Sequence, residues 1–215
     1  MSYLNINTVD FSQLKFPRQK SNSGTRFISA FYNKKALGLK LPKLRIPFDS
    51  QLSRYGQLEF NISLGNNQEI IDKFYELDNQ MVKFAEEFSW VEESCEYVPT
   101  LKESKNSEFP PTIRIKIPKK DNTIKTLFFD KEKKKVDTLT NEDVLALLTK
   151  GTHILSAIEC VGVWFNDERF GLSWKAEQVR IVESPSTKKS SEDYAFEDDS
   201  DIDSLSDTEL LIDDN

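Results

Sequence analysis

The run THILSAIECVGVWF, residues 152–165, is a strand too long to stay flat, and the turn NDER returns it as FGLSWKAEQVRIVE, residues 170–183. In the second arm Phe170, Leu172, Trp174 and Ala176 share one face, whereas Val179 and Ile181 have the opposite parity. Both halves can bury their apolar side chains in one core only if the phase slips near Glu177 and Gln178, through a bulge or a sharp bend. A long hairpin bent in this way belongs to a closed sheet, and a small Greek-key barrel is the predicted architecture.

The segments upstream supply the remaining parts. Between Arg26 and Leu64 the runs RFISAFYN, LKLPKLRIPF and QLEFNISL read as strands, the last two separated by the turn-rich DSQLSRYG. In the middle run Leu44, Ile46 and Phe48 take one face and Lys43 and Arg45 the other, and Pro42 and Pro47 call for an edge strand or a bulge. From 66 to 91 the period changes: Ile70, Phe74, Leu77, Met81, Phe84 and Phe88 recur every three or four residues, which predicts an amphipathic helix capped by Asn66 or Asn67. Its polar face is acidic (Glu69, Asp72, Glu76, Asp78, Glu86 and Glu87 against Lys73 and Lys83), so it is expected to face away from any nucleic acid. A polar loop is expected over 92–110. In PTIRIKIP, Ile113, Ile115 and Ile117 face a core while Thr112, Arg114 and Lys116 face out. IKTLFFD and DKEKKKVD read as a hairpin around Asp130–Glu132 or as a solvated loop, and Thr140 or Asn141 caps a short helix that Gly151 ends.

Charge divides the chain more sharply than apolar content does. From Glu183 to Asn215 twelve carboxylates stand against Lys188 and Lys189, a local −10, whereas the whole chain is −7 and residues 1–182 come to +3. A mildly basic body joined to a polyanion predicts three parts: a flexible arm over 1–25, one domain over 26–182 and a disordered acidic tail over 183–215. The N-terminal sequence shows no signal peptide and no apolar run approaches 18 residues, so a soluble protein with no membrane partner is expected. Cys95 and Cys160 read as plain thiols in a reducing compartment. One histidine, His153, and two distant cysteines cannot make a thiolate or imidazole zinc cluster, though carboxylate sites for magnesium remain open. No GxxxxGK[ST] or GxGxxG loop is present among only seven glycines. These absences argue against an enzyme, and no catalytic residue, metal or cofactor is expected.

Three stretches in order, PKLRIPF at 42–48, EFPPTIRIKIP at 108–118 and VGVWFNDERFGLSWKAEQVRI at 161–181, resemble the single-stranded DNA-binding proteins of large nucleocytoplasmic DNA viruses. The glycine, aromatic and Gln-Val of the closing strand are similar to those of phage single-stranded DNA-binding proteins. The resemblance covers about Thr25 to Val182. It implies an OB-like core, mainly β with one long and one short inserted helix, and non-catalytic, sequence-independent binding of single-stranded DNA in viral replication or recombination. It also implies an infected host cell as the setting, in a cytoplasmic replication compartment or the nucleus. The oligomeric state stays open, a dimer included.

Binding a single strand without sequence preference takes cations that track the backbone and aromatic faces on which bases stack. Residues 1–50 carry a local +7 and residues 101–135 a local +6. On strands, Lys43, Arg45, Arg114 and Lys116 must point outward, followed as candidates by Lys34, Lys35 and Lys40; for each, an ordinary solvated charge is the plain alternative. Phe31, Tyr32, Trp164 and Trp174 are the stacking candidates, and Phe48, Phe74, Phe84, Phe88 and Phe170 are assigned to the core. In the tail, Phe196, Asp198, Asp199, Asp201, Leu210 and Leu211 combine charge with apolar anchors; they would compete with DNA for the cationic body and dock basic replication proteins. Two other readings remain: a viral structural or protein-interaction component whose tail docks basic partners without DNA binding, and a magnesium-dependent nuclease.

Overall fold

The computed structural model describes residues 3–17, 27–89, 95–106, 108–137, 139–166 and 168–185, so the expected acidic tail lies, from residue 186 on, outside the described residues. Five strands make the body: β1 (Gly38–Arg45), β2 (Leu58–Ser63), β3 (Thr112–Lys116), β4 (His153–Phe165) and β5 (Arg169–Glu183). β1 runs antiparallel to β2, β2 to β3, β5 to β4 and β4 to β1, while β3 meets β5 in parallel at Lys116 and Lys175. The order 1-2-3-5-4-1 closes a five-stranded Greek-key barrel, the arrangement of an OB-fold. It is strongly curved, and two of its seams, β1–β2 and β3–β5, are each a single residue pair.

The curvature sits where the sequence predicts it. Gln178 pairs with Ala157 and Ala176 with Ile158, which leaves Glu177 as the extra residue of a bulge. A second register shift leaves Val161 unpaired, and Gly162 beside it has φ +147°, with the place of a Cβ only 2.2 Å from the carbonyl oxygen of Ile28. Only glycine fits there. β1 slips in turn between Leu41 and Leu44, around Pro42. Inside, Leu58, Phe60 and Ile62 of β2 meet Ile113, Ile115 and Ile117 from β3, all fully buried.

Helix α1 (Gln68–Glu87) joins β2 to β3, with the Asn67 side chain accepting from the N–H of Ile70 at 3.3 Å. Its stripe of Ile70, Phe74, Leu77, Met81 and Phe84 is buried, and Phe74 meets Trp174 of β5 edge-on with ring centroids 6.2 Å apart. Helix α2 (Asn141–Leu147) lies between β3 and β4 and starts with a capping box of Thr140 and Asp143. The hairpin before it pairs Leu127–Phe129 with Lys135–Val136 around a turn that closes from Asp130 to Lys134.

Several expectations are corrected. Residues 3–17 are no flexible arm: two one-turn helices, Ile6–Thr8 and Phe11–Gln13, bury Ile6, Val9, Phe11 and Leu14 in the common core. The irregular spacing of these four residues follows neither strand nor helix period, so no pattern marks them. Within the loop expected over 92–110, Glu96–Val98 and Leu101–Lys102 add short strands to β5 and β3. Asp78 leaves the acidic face of α1 and is buried, accepting hydrogen bonds from the Tyr97 hydroxyl at 2.7 Å and from the N–H groups of Thr100 and Leu101 at 3.0 and 3.3 Å. Phe48 and Phe88, both assigned to the core, are 59% and 48% exposed. β1 stops at Arg45, so alternation no longer controls Phe48, and Phe88, the C-cap of α1, stacks on Phe84 with ring centroids 5.9 Å apart and leaves its outer side to solvent.

Candidate nucleic-acid interface

Because the alternate residues of β2 and β3 fill the barrel, their neighbours must line its outer wall. Register then sets Arg114 opposite Asn61, Lys116 opposite Glu59, and Thr112 opposite Ser63. One row extends further, from Lys102 through Thr112 and Ser63 to Arg45 on β1. A groove of about 740 Å³ opens here, with Glu59, Arg114 and Lys116 on its floor and the β1–β2 loop, residues 51–55 and 57, along its rim.

The loop is fixed by its own hydrogen bonds. Ser53 N–H donates to the Gln57 carbonyl at 2.8 Å, Gly56 N–H to the Ser53 carbonyl at 2.8 Å, and the Gln57 amide reaches the Ile117 carbonyl at 2.5 Å, which ties the rim to the end of β3. Gly56 takes φ +72°, a left-handed turn position. On this rim Tyr55 is 79% exposed, with the Arg54 guanidinium 4.7 Å from its ring centroid. One aromatic face is thus lent to a cation and the ring stands clear of the core.

On the floor, Glu59 is 5% exposed. Its Oε1 accepts from the Gln51 amide at 3.2 Å and lies 3.5 Å from the Arg114 guanidinium. Burial, and then the positive charge of Arg114, lower the pKa of the Lys102 ammonium below its ordinary value, while Glu59 pulls the other way. Lys102 and Arg114 therefore share the field of one carboxylate, and Lys116 stands opposite it in register.

The residues singled out from the sequence divide among several places. Arg114 and Lys116 meet in the groove, and exposed Arg45 ends the row beside it. Lys43 is paired with Glu183, whose carboxyl is held below its usual value by that hydrogen bond. Lys40 is exposed on β1, opposite Ala157. Lys34 and Lys35 are exposed at a tight turn, where Lys34 has φ +65°, and the half-buried Phe31 and Tyr32 precede them on a separate three-stranded sheet. Trp164 is half-buried, its ring against Gly171 and its N–H donating to the Leu172 carbonyl at 3.3 Å. None of these last seven, Lys43 included, lines the groove. Trp174 is corrected: at 3% exposure, packed on Phe74, it has no face left for a base.

What the sequence reading missed is the rim: Arg54, Tyr55 and Leu52, with exposed Phe48 a few residues earlier. A signal was available in Ser53-Arg-Tyr-Gly56, an arginine and an aromatic inside a turn, where no strand or helix could bury the ring. Among the described residues no three His, Cys, Asp or Glu side chains gather as a metal ion would need, and no helix is long and apolar enough to cross a membrane. The Cys160 thiol is buried and pushed up to about 12.

No family model matches the chain, and no curated protein matches it in sequence. Solved structures do. The chain is similar to gp2.5, a single-stranded DNA-binding protein encoded by bacteriophage T7, at 11% identity and TM-score 0.49, over 72% of this chain and 96% of that one. It is similar to the single-stranded DNA-binding protein from bacteriophage Enc34 at 12% identity and TM-score 0.48, over 84% and 98%. With the Enc34 protein in complex with single-stranded DNA the figures are 9% and 0.48, over 77% and 94%.

Proposed function

We propose that the chain binds single-stranded DNA, without catalysis and without dependence on sequence, along the outer wall of β2 and β3. The observation that carries this reading is the groove itself. It occupies the strand 2–3 face and the strand 1–2 loop of an OB barrel, the part of that fold suited to oligonucleotides, and it combines Arg114 and Lys116 on the floor with Arg54 and Tyr55 on the rim. Cations of this kind hold phosphates, and an aromatic face stacks a base for about 1–3 kcal/mol.

Within this reading the protein coats intermediates of viral DNA replication or recombination in an infected host cell, as the sequence resemblance implies. Glu183 ends β5, so the residues beyond it, 184–215, act as a tethered polyanion that competes with DNA for the cations; Phe196, Asp198, Asp199, Asp201, Leu210 and Leu211 dock basic replication proteins once DNA displaces it. A titration of the full chain with a fluorescent oligonucleotide, at low and at moderate salt, tests the proposal. Saturable binding that weakens steeply with salt is expected, and a chain ending at Pro185 binds more tightly. No saturable binding by either form overturns it.

A further inference from the structure

A carboxylate on the floor of a groove that holds phosphates opposes the charge attraction on which such a groove depends. Glu59 is nonetheless built in: its side chain is 7% exposed, and both contacts made to it by neighbours, from Gln51 and Arg114, fall on Oε1. Oε2 accepts no hydrogen bond among the described residues, yet it is not among the buried side-chain atoms left without a partner, so it meets solvent. The groove is an opening that Glu59 lines. An acceptor oxygen without a hydrogen bond among the described residues is thus held by its twin in the lining of a groove that Arg114, Lys116 and Tyr55 share.

We infer that Glu59 Oε2 is a base-edge acceptor, which takes a hydrogen bond from the exocyclic amino group of a base stacked on the rim. This rests on the single-strand reading above and deepens it. With phosphates drawn to Arg114 and Lys116 and a ring lying on Tyr55, the edge of that base points at the floor. Cytosine and adenine present an amino group there, which donates to a carboxylate. Thymine alone has no exocyclic amino group and offers a single ring N–H flanked by two keto oxygens, which a carboxylate repels. The groove therefore tolerates every base by stacking and discriminates among them by one charge-assisted hydrogen bond.

The test compares oligo-dC with oligo-dT of the same length, about sixteen nucleotides, on the full chain at fixed salt. The wild type binds oligo-dC more tightly by about tenfold or more, the lower end of the worth of one hydrogen bond to a charged group. An oligo-dC whose cytosines carry two methyl groups on N4, and so no donor, falls to the oligo-dT level or below. Glu59→Gln closes the gap, because an amide offers both a donor and an acceptor to whichever base arrives. Equal affinity of the wild type for the two oligomers, a gap that survives N4 dimethylation, or one undiminished in Glu59→Gln overturns the role of Glu59 while leaving the groove as a DNA site. Absence of binding to any oligomer overturns the single-strand reading itself. The first two comparisons use the unaltered protein, so the inference stands or falls even if the variant folds poorly.

Discussion

Two carboxylates are sunk into the outer wall of the barrel, Glu59 on β2 and Glu159 on β4, 5% and 7% exposed, each with Oε1 beside a cation. Their surroundings differ. Glu159 sits opposite Gly38, and the ring of Tyr3 lies so close to that glycine that a Cβ there would come within 2.7 Å of Tyr3 Cδ1. Lys175 bridges Glu159 at 2.9 Å and Glu177 at 2.7 Å, and Glu159 Oε2 is buried without a hydrogen bond among the described residues. Burial, and then the charges of Glu177 and Glu159, raise the pKa of the Tyr3 phenol. Around Glu159 the wall has a roof; around Glu59 it has a rim. The same pairing of acid and cation holds elements together where it is covered and stands in an accessible groove where it is open.

Opposite variants should separate the two sites. Reversing both cations of the groove floor, Arg114→Glu with Lys116→Glu, is expected to cost about 100-fold or more in oligonucleotide affinity at low salt, with the melting curve little changed. A comparable affinity loss from Lys175→Met would break the contrast. Lys175→Met should instead strand a covered carboxylate and lower stability by roughly 2–3 kcal/mol in a denaturant titration, with affinity intact. Tyr55→Ala, at an exposed rim position, should weaken binding about tenfold and leave stability alone.

The smallest effect is one of pH. Burial would lower the pKa of Lys175, but the hydrogen bonds and charges of Glu177 and Glu159 outweigh it and the ammonium titrates above its ordinary value. Its stabilising contribution is therefore complete below the unfolded value of about 10.4 and is lost as pH rises through the folded one. The Tyr3 phenol works in the same direction, since folding disfavours its ionised form above about pH 10. Thermal melts between pH 9 and 11.5 should show an alkaline loss in the wild type that is reduced in Lys175→Met.

Periodic features were legible in the sequence because period is what burial imposes. The bulge at Glu177, the inward Ile113, Ile115 and Ile117, the stripe of α1 and its Asn67 cap all follow from alternation or a 3.6-residue turn. Arg114 and Lys116 were legible as outward cations for the same reason. What escaped has no period: the buried Ile6, Val9, Phe11 and Leu14, the covered Asp78, and the loop that carries Arg54 and Tyr55. Trp164 and Trp174 lie on adjacent strands of one hairpin, but only the second meets α1, a contact set by tertiary packing. Nor could strand alternation tell Glu59 from Glu159, since both are simply outward charges until something lies above them.

The β4–β5 hairpin is held along both of its outer edges by earlier parts of the chain. β4 is gripped by β1 and Phe27–Ile28, and β5 by Glu96–Val98, β3 and Leu127–Phe129. It lies in the rest of the molecule like a blade in a sheath, joined to it by backbone only through the stretch that includes the Asp130–Lys134 turn. A single cut at that exposed turn leaves every one of these seams in place. The two pieces should copurify after a nick there, and, made separately, they form a natural split pair whose reassembly restores the barrel.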